Sequence, residues 1–332
     1  MKVLVIGAGA WGTSLANLIA NNLDKEVSLW SYEKGLPEEI NKKNLNSLYL
    51  PGIKINKKVI ATNKIPNFKV KYIFLVSPSQ KAYSVIRKIY KNKEFIDKNY
   101  KLSFIICSKG IDLKKRKLLS TIVKEFFPEA DISVLSGPTF AHELAKKLPT
   151  AATLACEKIK TGREISNILA NNYFRIYLNR DLTGVQISAT LKNILAIAAG
   201  ITAGLGLGNN ARAALISRGI VEIKKIVVGI GGKEKTVMGL AGIGDILLTC
   251  NSRSSRNFDY GYNLGRSSFK KNLKKKNIQL TEGIENIKVI KHIKKNLNIE
   301  TPIIDAVYDI LIKNKNIEDI VRSLIERPIK EE

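Results

Sequence analysis

Short, unbroken apolar runs alternate with longer amphipathic stretches over the first half of the chain, whereas the second half carries only the helical period. Residues 3–6, VLVI, lead through GAGAWG into TSLANLIANN, where Leu15, Leu18 and Ile19 recur at helical spacing. That pattern predicts strand, turn and helix. Further strand-like runs lie at 27–30, 72–76, 104–107 and 132–135, separated by segments long enough for crossover helices, as at 80–90 and 114–127. Strands apolar on both faces that alternate with helices predict a parallel sheet covered on both sides, and right-handed crossovers make it doubly wound. From about residue 182 the strand signals stop, and helical segments follow at 183–205, 210–228, 244–250, 282–296 and 302–313. The chain therefore reads as α/β, with a doubly wound N-terminal domain over residues 1–182 and an all-helical C-terminal domain over 183–332.

Composition narrows the class. With 332 residues, 45% of them hydrophobic, the chain is long enough for two cored domains. The opening MKVLVIGAGAWG runs into a glycine-rich turn rather than a cleavage site, so no signal peptide is expected. The longest apolar stretch, 194–207, is short for a bilayer and is interrupted by Gly200, Gly204 and Gly206, which predicts a core helix and no membrane insertion. Cys107, Cys156 and Cys250 are widely spaced, and His142 and His292 have no partner nearby in sequence. A reducing, cytoplasmic location without a metal site is expected. The net charge of +26 raises the question of nucleic acid. Lysine is nevertheless spread along the chain, densest at 270–277 and 291–298, without aromatic interleaving, so solvated faces are expected and no nucleic-acid partner.

The first chemical motif is Gly7-Ala8-Gly9-Ala10-Trp11-Gly12, placed between a predicted strand and a predicted helix. Gly7 allows the tight turn, Gly9 lets backbone amides approach a pyrophosphate, and Gly12 lets helix and strand pack closely. The helix N-terminus favours the negative charge. This is the fingerprint of a Rossmann-type dinucleotide-binding domain, and it predicts NADH or NADPH as cofactor. The choice between them depends on the end of the second strand, LWSYEK. An acid there would bind the adenosine ribose and a base would accept a 2′-phosphate, and the sequence offers Ser31, Tyr32, Glu33 and Lys34. Glu33 reads equally as a ribose ligand or as a solvated turn residue.

The helical half holds two isolated charges in apolar surroundings. Lys192 lies within VQISATLKNILAIAAG, and its helical neighbours Ser188, Ala189, Leu195 and Ala196 leave room for a ligand beside the ammonium. Desolvation disfavours the charged form of a lysine and suits it to proton transfer near neutral pH; the alternative is a lysine that snorkels to the surface. Asp245, within GLAGIGDILLTC, pairs with Lys192 or a substrate hydroxyl on one reading, and caps the following helix on the other. The loop Ser252-Arg253-Ser254-Ser255-Arg256-Asn257 offers two guanidinium forks among hydroxyls and an amide, chemistry that suits a phosphate, against the alternative of a solvated basic loop. Two strand-end loops of the first domain, Ser108-Lys109-Gly110 and Ser136-Gly137-Pro138-Thr139-Phe140-Ala141, would face the ligand crevice of such a sheet. There Lys109, Gly137 and Thr139 could meet ligand, or simply form turns.

In order along the chain, GAGAWGTSLA, CSKG, SGPTFAHELA, LKNILAIAAG, GNNARAALISRG, GLAGIGDILLTC and SRSSRNFDYG together resemble the bacterial NAD(P)-dependent glycerol-3-phosphate dehydrogenases. The resemblance runs from residue 3 to beyond Glu282. It implies reduction of dihydroxyacetone phosphate to sn-glycerol 3-phosphate for phospholipid synthesis, by a homodimer. It further implies Lys192 as the catalytic proton donor or acceptor, with Asn193 beside it. The implied substrate contacts are Lys109, Gly137, Thr139, Lys192, Asp245, Ser255, Arg256 and Asn257. The implied cofactor contacts are the glycine turn with Ala10 and Trp11, together with Tyr32, Lys109, Ala141, Arg256 and Glu282. Ala10 stands where the family often has Ser, and His142 where Lys is usual. Two competing readings are a reductase of a small oxo acid with the same domain layout and a non-catalytic nucleotide-sensing protein. The SRSSRN loop argues against the first, and Lys192 and Asp245 in apolar surroundings argue against the second.

Overall fold

The computed structural model describes residues 2–65, 69–92, 101–268, 282–295 and 297–328, and the chain divides into two compact units, Met1–Gln186 and Ile187–Glu332. The lysine-dense run at 270–277 lies outside the described residues.

The first unit is built on an eight-stranded sheet. Its strands are β1 (Val3–Ile6), β2 (Val27–Trp30), β3 (Val59–Thr62), β4 (Tyr72–Leu75), β5 (Ser103–Ile106), β8 (Asp131–Ser136), β9 (Thr150–Cys156) and β10 (Phe174–Asn179), while β6 (Ile111–Asp112) and β7 (Lys117–Leu118) form a separate hairpin. The order is β10-β9-β8-β5-β4-β1-β2-β3. The helices are α1 (Ala10–Leu23), α2 (Leu36–Lys43), α3 (Ser79–Lys91), α4 (Leu119–Phe126), α5 (Ala141–Ala145) and α6 (Ile159–Leu169). Because β1 pairs in parallel with both β2 and β4, the strand order reverses at β1, and its C-terminal end is a topological switch point. β1, β2, β4 and β5 are buried along their whole length, which is why they read as continuous apolar runs.

Three features of this unit depart from the sequence pattern. The sheet is parallel except at one join, where β9 runs antiparallel to β8. The helix expected over 114–127 begins only at Leu119, because Ile111–Leu118 is used by the hairpin, whose Asp112 accepts from the Lys115 N–H at 2.7 Å to form the turn. β3, β9 and β10 carry exposed or half-exposed positions and so lack the continuous apolar signature.

The second unit is helical. α7 (Leu182–Gly204) starts in the first unit and carries the chain into the second, followed by α8 (Gly208–Gly229), α9 (Glu234–Val237), a π-helical turn (Leu240–Gly244), α10 (Asp245–Cys250), α11 (Arg256–Ser268), α12 (Glu282–Lys295), α13 (Pro302–Leu311) and α14 (Ile317–Ile325). Asp181 begins α7 by accepting the Gly184 N–H at 2.8 Å. The first turns stay with the first unit because the Gln186 amide donates to Ser120 Oγ at 2.8 Å. α7 is long and apolar enough to cross a membrane, but it is mostly buried inside the protein. Its glycines explain that burial. A Cβ on Gly200 or Gly204 would lie 2.1 or 2.2 Å from the Phe258 or Tyr262 carbonyl of α11, and one on Gly261 would lie 2.2 Å from the Ile197 carbonyl of α7. Glycine on both helices therefore lets the two backbones touch, and this sets the helix bearing Lys192 against the helix bearing Asn257.

Candidate active site

In the first unit the sequence-expected groups gather at the C-terminal ends of neighbouring parallel strands. Gly7 has φ +116, a conformation that L side chains rarely adopt, and a Cβ on it would press on Val76 and the Ser77 amide at 3.0 Å. A Cβ on Gly12 would lie 1.8 Å from the Gly7 carbonyl, so the turn closes only with glycine there. A Cβ on Gly9 would meet nothing within 4 Å. Gly9 is the N-cap of α1 without a side-chain cap, and the first bond into the helix runs from the Thr13 N–H to its carbonyl. The N–H groups of Ala10, Trp11 and Gly12 are thus the donors that a helix start leaves for a ligand.

Neighbouring side chains complete this cradle. Asn46, fully buried, donates to the Ala8 carbonyl at 2.9 Å and to Thr13 Oγ1 at 2.8 Å, which fixes the turn from behind. Ser77 Oγ, buried just past the end of β4, has no hydrogen-bond partner among the described residues. An open glycine, oriented helix-start amides and an orphan hydroxyl form a donor set that fits a dinucleotide phosphate. Tyr32 projects from the end of β2 at 84% exposure, presenting an aromatic face. Lys109 follows β5 half-buried, and its charge lies close enough to Cys107 to pull against the burial that drives that thiol well above its ordinary range. After β8, Gly137 lies against Ala152, Thr139 donates to the Gly137 carbonyl at 3.3 Å, and Ala141 opens α5, its carbonyl accepting from Ser14 Oγ at 2.8 Å.

The second unit holds the other cluster. Lys192, only 5% exposed, does not snorkel: its Nζ donates to Asp245 Oδ1 at 2.5 Å and to Thr249 Oγ1 at 2.8 Å. Of the two readings of Asp245, the structure has the ion pair. Asp245 is 1% exposed and is the first residue of α10, after an N-cap, Gly244, that makes no side-chain cap bond. The π-helical turn sets this geometry. A Cβ on Gly242 within it would lie 1.9 Å from the Val237 carbonyl, so the chain passes close to α9 before delivering Asp245 and, one turn later, Thr249.

Asn193, the neighbour of Lys192, donates to Glu282 Oε2 at 3.4 Å, and the adjacent Gly283 N–H donates to Asn257 Oδ1 at 3.0 Å. Glu282 and Asn257 thereby join the surroundings of α7. The expected loop 252–257 is a loop only in part, since α11 begins at Arg256. The buried Ser255 sits just before it, its Oγ accepting the Phe258 N–H at 3.3 Å, a capping contact that the Ser-rich sequence could have signalled. The two arginines diverge. Arg253 is occupied by Asp259 at 2.7 Å and by the Tyr262 ring at 4.5 Å. Arg256 is exposed, with no hydrogen bond or ion pair among the described residues.

Asn46, Ser77 and Thr249 escaped the sequence reading. Thr249 alone had a usable signal, because it lies four residues after Asp245 and therefore on the same helical face. Among the described residues no group of three or more His, Cys, Asp or Glu side chains is placed to hold a metal ion.

Residues 2–162 match the family described as NAD-dependent glycerol-3-phosphate dehydrogenase N-terminus, and residues 181–322 match the corresponding C-terminus. The chain is 39% identical to the glycerol-3-phosphate dehydrogenase [NAD(P)+] of Zymomonas mobilis, over 99% of this chain and 94% of that one. It is 39% identical to that of Syntrophotalea carbinolica, over 100% and 99%. The crystal structure of glycerol-3-phosphate dehydrogenase from Coxiella burnetii superposes with a TM-score of 0.89 at 35% identity, covering 98% of this chain and 99% of that one. With a glycine turn shaped for a dinucleotide and a buried lysine–aspartate pair, this chain belongs to the NAD-dependent glycerol-3-phosphate dehydrogenase family of NAD(P)-linked oxidoreductases.

Proposed function

We propose that this protein catalyses the reversible reduction of dihydroxyacetone phosphate to sn-glycerol 3-phosphate with NADH or NADPH, Lys192 moving the proton. The observation that carries the mechanism is the buried Lys192 Nζ held between Asp245 Oδ1 and Thr249 Oγ1. The nicotinamide, when bound, supplies the hydride to the carbonyl carbon. Lys192 stabilises the negative charge that develops on the carbonyl oxygen and donates its proton to it; in the reverse direction it accepts the hydroxyl proton. Asp245 and Thr249 hold the ammonium by two hydrogen bonds, which fixes its position and orientation. Asp245 also balances the charge of a lysine that burial would otherwise destabilise.

The remaining assignments follow the same reading. Ala10, Trp11 and Gly12 offer backbone donors to the cofactor, and Tyr32, Lys109, Ala141, Arg256 and Glu282 are its further contacts. Arg256 presents an exposed guanidinium fork to the substrate phosphate, with Ser255, Asn257, Lys109, Gly137 and Thr139 as the other substrate groups. This reading puts the functional domain boundary at 182/183, in the first turn of α7 and four residues ahead of the division between the compact units. The enzyme acts in the cytoplasm as a homodimer feeding phospholipid synthesis, without membrane insertion, a reading supported by the burial of α7 inside the protein.

An absorbance assay of the full chain with dihydroxyacetone phosphate, run separately with NADH and NADPH, tests the reading. Oxidation of at least one cofactor is expected, and oxidation of neither rejects the proposal. Turnover of a small oxo acid in place of the phosphorylated ketone would move the protein to another reductase activity.

A further inference from the structure

Beside the glycine turn the fold holds one carboxylate in place with hydroxyl donors on both oxygens. The Gly7 N–H donates to the Trp30 carbonyl at 2.9 Å, so the end of β2 lies next to the turn. There Glu33 accepts from Tyr49 Oη on one oxygen at 2.7 Å and from Ser31 Oγ on the other at 2.9 Å. The Asn63 amide donates to both the Ser31 and Glu33 carbonyls, at 2.8 and 2.9 Å. Tyr49 is itself registered to the turn, because its N–H donates to Asn46 Oδ1 at 3.1 Å and the Asn46 amide donates to the Ala8 carbonyl. A hydrogen-bonded chain thus runs from the phosphate-binding backbone to the carboxylate.

Burial works against ionisation of Glu33, but the hydrogen bonds from Tyr49, its own backbone and Ser31 outweigh it and hold the carboxyl below the usual range. Glu33 is therefore an anion at neutral pH, with its position fixed. Lys34, the neighbouring cation, is exposed, so its charge is screened by water.

We infer that Glu33, oriented by Tyr49 and Ser31, makes this enzyme select the cofactor with a free adenosine 2′-hydroxyl, NADH, over its 2′-phosphorylated counterpart. The inference rests on the dinucleotide reading of the glycine turn and deepens it. A ribose hydroxyl can donate to either carboxylate oxygen, each of which retains a lone pair. A 2′-phosphate instead brings about −1.5 to −2 charges against a fixed negative group. At a half-exposed, solvent-screened position that opposition is on the order of tenfold in affinity.

The test titrates the full chain with NADH and with NADPH, following nicotinamide fluorescence at low and physiological ionic strength. Wild type, Glu33→Gln and Tyr49→Phe are compared. Wild type is expected to bind NADH on the order of tenfold more tightly, with the gap narrowing as salt rises. Glu33→Gln brings the two within about twofold, mainly by tightening NADPH, and Tyr49→Phe falls between. A variant that merely damages the fold weakens both cofactors alike and leaves their ratio unchanged. Equal or tighter NADPH binding by wild type overturns the inference, as does an unchanged ratio in Glu33→Gln or binding of neither cofactor. A parallel turnover assay separates the two readings. NADH preference without reduction of dihydroxyacetone phosphate rejects the proposed reaction alone, and reduction with NADPH preference rejects the inference alone.

Discussion

The glycine turn of the first unit and the lysine cluster of the second build their chemistry from different materials. The turn presents backbone: N–H groups at the start of α1, made approachable because Gly7, Gly9 and Gly12 carry no side chain. The cluster presents side chains: an ammonium and a carboxylate, each nearly removed from water, with a hydroxyl between them. A backbone site depends on local shape, whereas a buried charge depends on partners from distant parts of the sequence. Lys192 and Asp245 are 53 residues apart. The two regions should therefore fail differently when perturbed, the first by losing shape and the second by losing charge balance.

The largest effect is expected at the cluster. Lys192→Ala should lower turnover by about 100-fold to 10,000-fold, roughly 3–5 kcal/mol of transition-state stabilisation, while cofactor affinity measured by fluorescence stays near wild type. Near-normal turnover would remove Lys192 from the proton-transfer role.

A second buried charge of the helical unit sharpens the contrast through pH. Glu222 on α8 accepts the Ile303 and Ile304 N–H groups at the start of α13, at 2.8 and 3.0 Å, and burial pushes its carboxyl up to about 7 against the pull of those donors. The folded chain thus holds this proton more tightly than the unfolded chain, whose Glu titrates near 4.5. The resulting stabilisation is full below about pH 4.5 and is lost as pH rises through 7, a change of up to about 3 kcal/mol. Glu222→Gln should flatten that part of the stability profile measured by chemical denaturation between pH 5 and 8. A variant with the same slope as wild type would show that Glu222 does not supply it.

At the turn, Gly12→Ala should cost about 2 kcal/mol of stability by overpacking and weaken NADH and NADPH together, because its Cβ would lie 1.8 Å from the Gly7 carbonyl. Loss of stability with unchanged cofactor binding would separate the turn from the binding site. The smallest effect is expected at Arg256, whose exposed fork is screened by solvent. Arg256→Ala should raise the KM for dihydroxyacetone phosphate by about tenfold, or roughly 1.5 kcal/mol, with kcat less affected. An unchanged KM would reject the phosphate contact.

Legibility in the sequence followed the same division. β1 and β2 were readable because a strand buried on both faces is a plain apolar run. The first five residues of α7 were not assignable to a unit, because what ties them to the sheet domain includes the Gln186–Ser120 hydrogen bonds, between residues 66 positions apart. Arg253 and Arg256 looked alike in SRSSRN. The start of α11 at Arg256 separates them, placing Asp259 and Tyr262 within reach of Arg253. Glu33 was undecidable because its two hydroxyl partners lie at residues 31 and 49, the second far along the chain.

By itself the sequence determined the α/β layout, the position and shape of the dinucleotide turn, and the presence of two charges in apolar segments, all of which depend on periodicity or on glycine over a few residues. Only the tertiary structure decided that those two charges meet, that Thr249 joins them, that Asp259 and Tyr262 engage one arginine of two, and that Glu33 is fixed beside the turn. Each of those outcomes is a contact between residues brought together by packing: the glycine-to-glycine approach of α7 and α11, the π-helical turn ahead of Asp245, and Asn46 behind the glycine turn. Local pattern carries no record of which distant backbone will come within reach.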